Sequence, residues 1–172
     1  MNIKRTAAIA LSTAALLAGG LATATTASAN TGWGSIQFDA PGLNGATSCY
    51  DVPNANAYSG AQVQNWGCNG TDAQQWQLEY VDSYHFKVHS GLNYNLCLNN
   101  WEGGDTRGNH VKLYSCGSND SVWNWVSFSN GDVGLQPKIS SDNCADAGVG
   151  SGTAIVLGRC GAYVGGGIAS HP

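Results

Sequence analysis

Six cysteines, four histidines and a few carboxylates are the residues of this chain with the means to do chemistry. The cysteines are Cys49, Cys68, Cys97, Cys116, Cys144 and Cys160, an even set. No Cys-x-x-Cys, His-Glu-x-x-His, Gly-x-Ser-x-Gly or P-loop pattern occurs, so the chemistries those motifs serve find no support. His85 and His89 stand four apart, a metal spacing on a helix, but Tyr84-His85-Phe86-Lys87-Val88-His89 alternates like a strand. That alternation places both histidines with Lys87 on a solvated outer face. Glu102 and Asp105 could in principle act on a glycosidic bond. They lie in a glycine-rich loop with no sign of a desolvating pocket, so a solvated turn is expected. No catalytic residue, metal ligand or cofactor is expected.

The elements that carry these residues begin with a leader. Met1 to Ala29 starts with Lys4 and Arg5, runs apolar from Ala7 to Leu21, and ends Ala27-Ser28-Ala29. That is the order of a secretory signal with cleavage after Ala29. Ser12, Thr13 and two glycines break the apolar run, so it would span a bilayer badly. Residues 1–29 are therefore read as a signal peptide and 30–172 as one secreted domain. In an exported chain disulfides are the default state of the cysteines, although six alone allow 15 pairings. The formal net charge is −4, with no cluster of basic residues. That argues against nucleic acid and against anionic membrane surfaces as partners. With charged residues at 10%, 24 glycines and six tryptophans, the composition also argues against disorder and against a helical bundle.

The cysteines recur in pairs 19, 19 and 16 residues apart, and successive pairs begin 48 and 47 residues apart. More than the cysteines repeats. Gly60, Gly108 and Gly152 each lie eight before the second cysteine, and Val63, Val111 and Ile155 five before it. Asp51, Asn99 and Asp146 each lie two after the first. Downstream, Gln74-Gln75-Trp76 is matched by Trp123-Asn124-Trp125, and Ile168 holds the place in the third copy. A fixed period with several coincident features signals triplication. Short alternating runs between Gly, Asn, Asp and Ser clusters predict strands and turns. The expectation is an all-β domain of three units, closed about a pseudo-threefold axis that buries Trp76, Trp125 and Ile168 together.

This pattern resembles the ricin B-chain type β-trefoil lectin, also known as a carbohydrate-binding module of secreted bacterial glycosidases. The features that carry it are Cys-x-Asp, Gly-x-x-Val, an aromatic two before the second cysteine, and Gln-x-Trp. The resemblance implies a β-trefoil, with the disulfides Cys49–Cys68, Cys97–Cys116 and Cys144–Cys160. Closing loops this short would contribute about 3 kcal/mol each in the chain-entropy model.

The resemblance also implies sugar sites. A neutral sugar needs an aromatic face for its C–H patch and fixed polar groups for vicinal hydroxyls. Repeat one keeps Asp51, Gln64, Trp66 and Gln74, with Asn69 close by; the family's Asn is here Ala73, one hydrogen-bonding arm fewer. In repeat two Asn99 replaces Asp, Lys112 stands where repeat one has Gln64, and Val122-Trp123 replaces the Asn-Gln pair. Tyr114 remains there as a stacking candidate, with Trp101 in the neighbouring loop. Repeat three has Asp146 but Gly158 in the aromatic position, and Gly165-Gly166-Gly167 in place of polar arms. The chain thus reads as a secreted lectin for galactose- or xylose-like units of glycans or polysaccharide, binding mainly through repeat one. The alternative is a trefoil with decayed sites that joins another secreted protein.

Overall fold

A computed structural model of the chain describes residues 31–39, 47–129, 131–161 and 168–172. The leader, 1–29, and Gly165–Gly167 lie outside the described residues. The twelve strands among the described residues fall into three sets of four. The first set is β1 (Gln37–Asp39), β2 (Thr47–Asp51), β3 (Gln64–Gly67) and β4 (Trp76–Tyr80). The second is β5 (His85–Ser90), β6 (Asn93–Asn100), β7 (Val111–Ser115) and β8 (Trp123–Ser127). The third is β9 (Val133–Pro137), β10 (Asn143–Asp146), β11 (Val156–Arg159) and β12 (Ile168–Ser170). Among the described residues there is no α-helix, only short 3-10 turns. None is long and apolar enough to cross a membrane.

The outer strands of each set pair in the order β1-β12-β9-β8-β5-β4. Gly34, just before β1, closes the ring on Trp76 of β4 through two backbone hydrogen bonds of 2.9 and 2.8 Å. A closed ring leaves no barrel edge open to another chain. The inner strands form hairpins β2·β3, β6·β7 and β10·β11. Each hairpin is held by its own disulfide, Cys49–Cys68, Cys97–Cys116 or Cys144–Cys160. This is the β-trefoil, with the pairing the resemblance implied.

The repeated residues explain themselves at the axis. Val63, Val111 and Ile155 are fully buried and pass backbone hydrogen bonds in a circle: Val63 to Val111, Val111 to Ile155, Ile155 to Val63, at 3.2, 2.9 and 2.9 Å. The Gln62 side chain caps this ring, its amide donating to the carbonyls of Val63 and Val111 at 2.9 and 3.1 Å. Gly60, Gly108 and Gly152 take φ of 93°, 88° and 82° and donate to the neighbouring repeat at 2.7, 2.8 and 2.7 Å. A side chain is strained in that region of φ, so the turn asks for glycine three times.

One expectation about the core is corrected. The partner of Trp76 in repeat two is Trp123, not Trp125. Both Trp76 and Trp123 are fully buried. Their indole N–H groups donate to the equivalent carbonyls of Tyr50 and Leu98, at 3.1 and 2.9 Å. Trp125 is only half-buried and tilts against Phe86 from outside the deep core. Ile168, 6% exposed, occupies the third place as expected.

Candidate functional site

The three hairpins share one register. Asp51 faces Gln64 and Cys49 faces Trp66; Asn99 faces Lys112 and Cys97 faces Tyr114; Asp146 faces Val156 and Cys144 faces Gly158. Alternate residues of a strand share a face, so the same four positions meet in each hairpin. What differs is the side chains.

In the first hairpin Asp51 is 5% exposed and tied at both oxygens. Oδ1 accepts from Gln64 Nε2 at 2.8 Å and Oδ2 from Gln74 Nε2 at 3.1 Å. Gln74 is itself fully buried, donates to the Gly67 carbonyl at 3.0 Å and accepts from the Asn69 N–H at 2.7 Å. A carboxylate offers about four acceptor positions, so two amides orient it and leave capacity for hydroxyls. Two residues along β3 from Gln64, the Trp66 indole is 44% exposed. A β-carbon at Gly152 would stand 3.6 Å from that ring and 3.9 Å from Gln64 Oε1, so the glycine turn of repeat three borders the site. The structure therefore brings Asp51, Gln64, Trp66 and Gln74 together. Asn69 joins through its backbone only; its Oδ1 accepts from Thr71 N–H and Oγ1, at 3.0 and 2.7 Å, to make a turn. Ala73 is 5% exposed and packed in the core, so that arm is closed off and not merely shortened.

The second hairpin repurposes the same positions. Asn99, 3% exposed, donates to Ser121 Oγ at 3.0 Å and Ser118 Oγ at 3.3 Å. Ser121 lies two before Trp123 as Gln74 lies two before Trp76, so Ser121 takes the place of the glutamine and Val122 that of Gln75. Asp120 and Ser121, not Val122-Trp123, thus stand where the family has its Asn-Gln pair. Tyr114, 40% exposed, meets Trp101 edge to face at 5.7 Å between ring centres. The Lys112 ammonium lies 4.8 Å from the centre of the Trp101 ring. A cation over an aromatic face is attracted to it, and it covers ring that a sugar would need.

The third hairpin is closed. Val156 offers no donor, and Asp146 Oδ1 instead accepts from the Gly148 N–H at 3.0 Å. Its other oxygen would lie 2.6 Å from a β-carbon at Gly158, so the carboxylate fills the space where an aromatic would begin. Burial raises the Asp146 carboxyl above its ordinary range, with the Gly148 N–H pulling the other way.

His89, Glu102 and Asp105 are internal fasteners. Contrary to expectation, His89 is not on a solvated face but 3% exposed. Its ring stacks on Tyr94 at 4.0 Å and bridges the Tyr94 carbonyl and Glu79 Oε2, at 2.7 and 2.8 Å. The register shift at His89/Ser90 takes the residue out of simple alternation. His89, Cys97 and Cys116 lie close enough to suggest a metal group, but the sulfurs are bonded to each other and offer no thiolate. Glu102 pairs with His110 at 2.8 Å. Partial burial would raise the Glu102 carboxyl; the bonds from the His110 ring and N–H outweigh it and lower it. Asp105 reaches repeat three, accepting from the hydroxyls of Ser140 and Ser141, the Ser141 N–H and the Asn143 amide.

Comparisons with known proteins agree with the fold. The family described as ricin-type beta-trefoil lectin domain matches residues 42–165. Among solved structures, the fold is similar to a designed threefold-symmetric protein, ThreeFoil: TM-score 0.65, 21% identity, 76% of this chain and 91% of that one. It is similar to part of a mosquitocidal holotoxin: TM-score 0.61, 16% identity, 80% of this chain but only 17% of that one. It is also similar to the Rhizoctonia solani agglutinin: TM-score 0.58, 11% identity, 78% of this chain and 92% of that one. At these identities the likeness speaks for the fold alone. No curated protein matches the chain in sequence.

Proposed function

The chain belongs to the ricin-type beta-trefoil lectin domain family, and from that premise we propose a secreted lectin that binds neutral galactose- or xylose-like units through its first repeat. The observation that carries the reading is the contrast among hairpins sharing one register: only the first sets a tethered carboxylate, Asp51, beside a half-exposed indole uncovered by a cation, Trp66. Asp51 accepts vicinal hydroxyls, Gln64 and Gln74 hold its orientation, and Trp66 covers the C–H face of the ring. The paired cysteines and the signal-like residues 1–29 support export before folding. A single shallow site of this kind belongs near millimolar affinity, about −4 kcal/mol. Calorimetric titration with galactose, lactose and xylo-oligosaccharides tests it. Wild type should bind at least one, Trp66→Ala should lose most of that binding with an unchanged melting curve, and Tyr114→Ala should behave as wild type. No binding by wild type to any of the three would leave the protein-adaptor role as the better account.

A further inference from the structure

A cavity of about 590 Å³ shares no lining residue with the three hairpin sites and lies against the barrel wall where the β4–β5 turn meets β8 and β9. Its size suits a monosaccharide. Three of its polar side chains form a row across adjacent strands: His85 faces Asn124, and Asn124 faces Gln136. Asn124 donates to Gln136 Oε1 at 3.3 Å, which fixes both amides. Trp125 also lines the cavity, and its indole N–H is buried with no acceptor among the described residues.

The rim is equally particular. Tyr84 is 78% exposed, more than any other large hydrophobic residue among those described. Its backbone is nevertheless fixed, because Asp82 Oδ1 accepts from the N–H groups of Tyr84 and His85, both at 2.9 Å, and Asp82 Oδ2 lies 2.8 Å from His85 Nδ1. Lys138, the cation of the lining, forms no ion pair among the described residues. Neither nearby carboxylate lines the cavity: Asp82 is engaged by the turn and Asp105 by Ser140, Ser141 and Asn143. Nor does the fold require a lysine here. Lys138 N–H bonds Val122 as Gly91 N–H bonds Gln75, and a β-carbon at Gly91 would lie 2.8 Å from Gln75. The pseudo-equivalent position is therefore shut, while this one carries an ammonium.

We propose that this cavity is a second saccharide site, selective for a carboxylate-bearing sugar such as a hexuronic acid. Lys138 takes the carboxylate, Tyr84 covers a ring face, and Asn124 meets hydroxyls. The site does not depend on the hairpin site. It is tested by titrating the ¹⁵N-labelled protein with glucuronic acid, galacturonic acid, galactose and acetate. The uronic acids should shift the Trp125 indole signal and bind Trp66→Ala as well as wild type. Lys138→Gln should weaken them at least tenfold while leaving galactose unaffected. Absence of uronate binding, or equal binding by Lys138→Gln, would overturn the proposal. Acetate binding as tightly as the uronates would remove the saccharide assignment, and loss of uronate binding in Trp66→Ala would assign it to the hairpin instead. Failure of galactose alone counts against the first site and not this one.

Discussion

The first and third hairpins have the same strands, the same register and the same disulfide, yet their carboxylates do opposite things. Asp51 is held from both sides by Gln64 and Gln74, beside the half-exposed Trp66. Asp146, opposite Val156, has no side-chain amide to hold it among the described residues and instead accepts from the Gly148 N–H and lies over Gly158. The trefoil constrains the backbone and the axis, and both hairpins obey those constraints. It does not constrain the outward face, where one hairpin sets a half-exposed indole beside its carboxylate and the other fills the equivalent space with the carboxylate itself. The second hairpin lies between them, with the aromatics present and Lys112 against Trp101.

If the core is common property of the repeats and the faces are not, the largest effects should come from the core and be alike in repeats one and two. Trp76→Ala and Trp123→Ala should each cost about 3–5 kcal/mol of unfolding free energy. Trp125→Ala, half-buried outside that layer, should cost distinctly less. Urea denaturation of the three variants measures it. A larger loss for Trp125 than for Trp123 would break the threefold equivalence drawn from their indole hydrogen bonds.

A sharper test exchanges the faces. Gly158→Trp places in repeat three the aromatic that repeat one has, but its β-carbon arrives 2.6 Å from the Asp146 carboxylate. The expected result is a loss of about 1–3 kcal/mol from overpacking and no gain in sugar binding. Adding Asp146→Ala should return part of the stability and still give no binding, because the acceptor has gone with the clash. Restored binding in either variant would show that the face, and not the missing tether, was all that repeat three lacked.

Much of this was legible in the sequence because the requirements concerned are local and recur. A glycine eight before the cysteine, a β-branched residue five before it and the cystine itself are each demanded once per repeat, so the period exposes them. The carboxylate and the aromatic of repeat one were legible for the same reason. Trp123 was misplaced because Trp123-Asn124-Trp125 offers two candidates and the loop after Cys116 is one residue shorter than that after Cys68. Their burial and the bond from the Trp123 indole to the Leu98 carbonyl distinguish them. His89 was misread because its burial comes from Glu79 and Tyr94 on neighbouring strands and from a register shift, none of which alternation encodes. The Lys138 cavity draws on β4–β5, β8 and β9 together, so no window of sequence contains it.

The smallest expected effect concerns what repeat three gained in place of a site. Asp105, from repeat two, holds the start of β10 through Ser140, Ser141 and Asn143, whereas Asp51 of repeat one bonds the amides of Gln64 and Gln74 within its own repeat. The Ser140 hydroxyl, the Ser141 N–H and the Asn143 amide together lower the Asp105 carboxyl from its ordinary 3.8 to about 2. A carboxyl whose pKa is lower folded than unfolded contributes its stability above the unfolded value and loses it as pH falls through the folded one. The contribution of Asp105 is therefore full above about pH 4 and gone below about pH 2. Asp82, lowered to about 2 by its bonds from Tyr84 and His85, loses its contribution over the same range, so wild type alone does not separate them. Asp146, raised by burial, acts in the opposite sense and destabilises as it ionises. The difference between wild type and Asp105→Asn isolates the strap. Urea midpoints from pH 6 to pH 2 should show the variant modestly weaker near neutrality and the two curves converging as pH approaches 2. A difference that stays constant across that range would mean that Asp105 fastens the repeats by its shape and not by its charge.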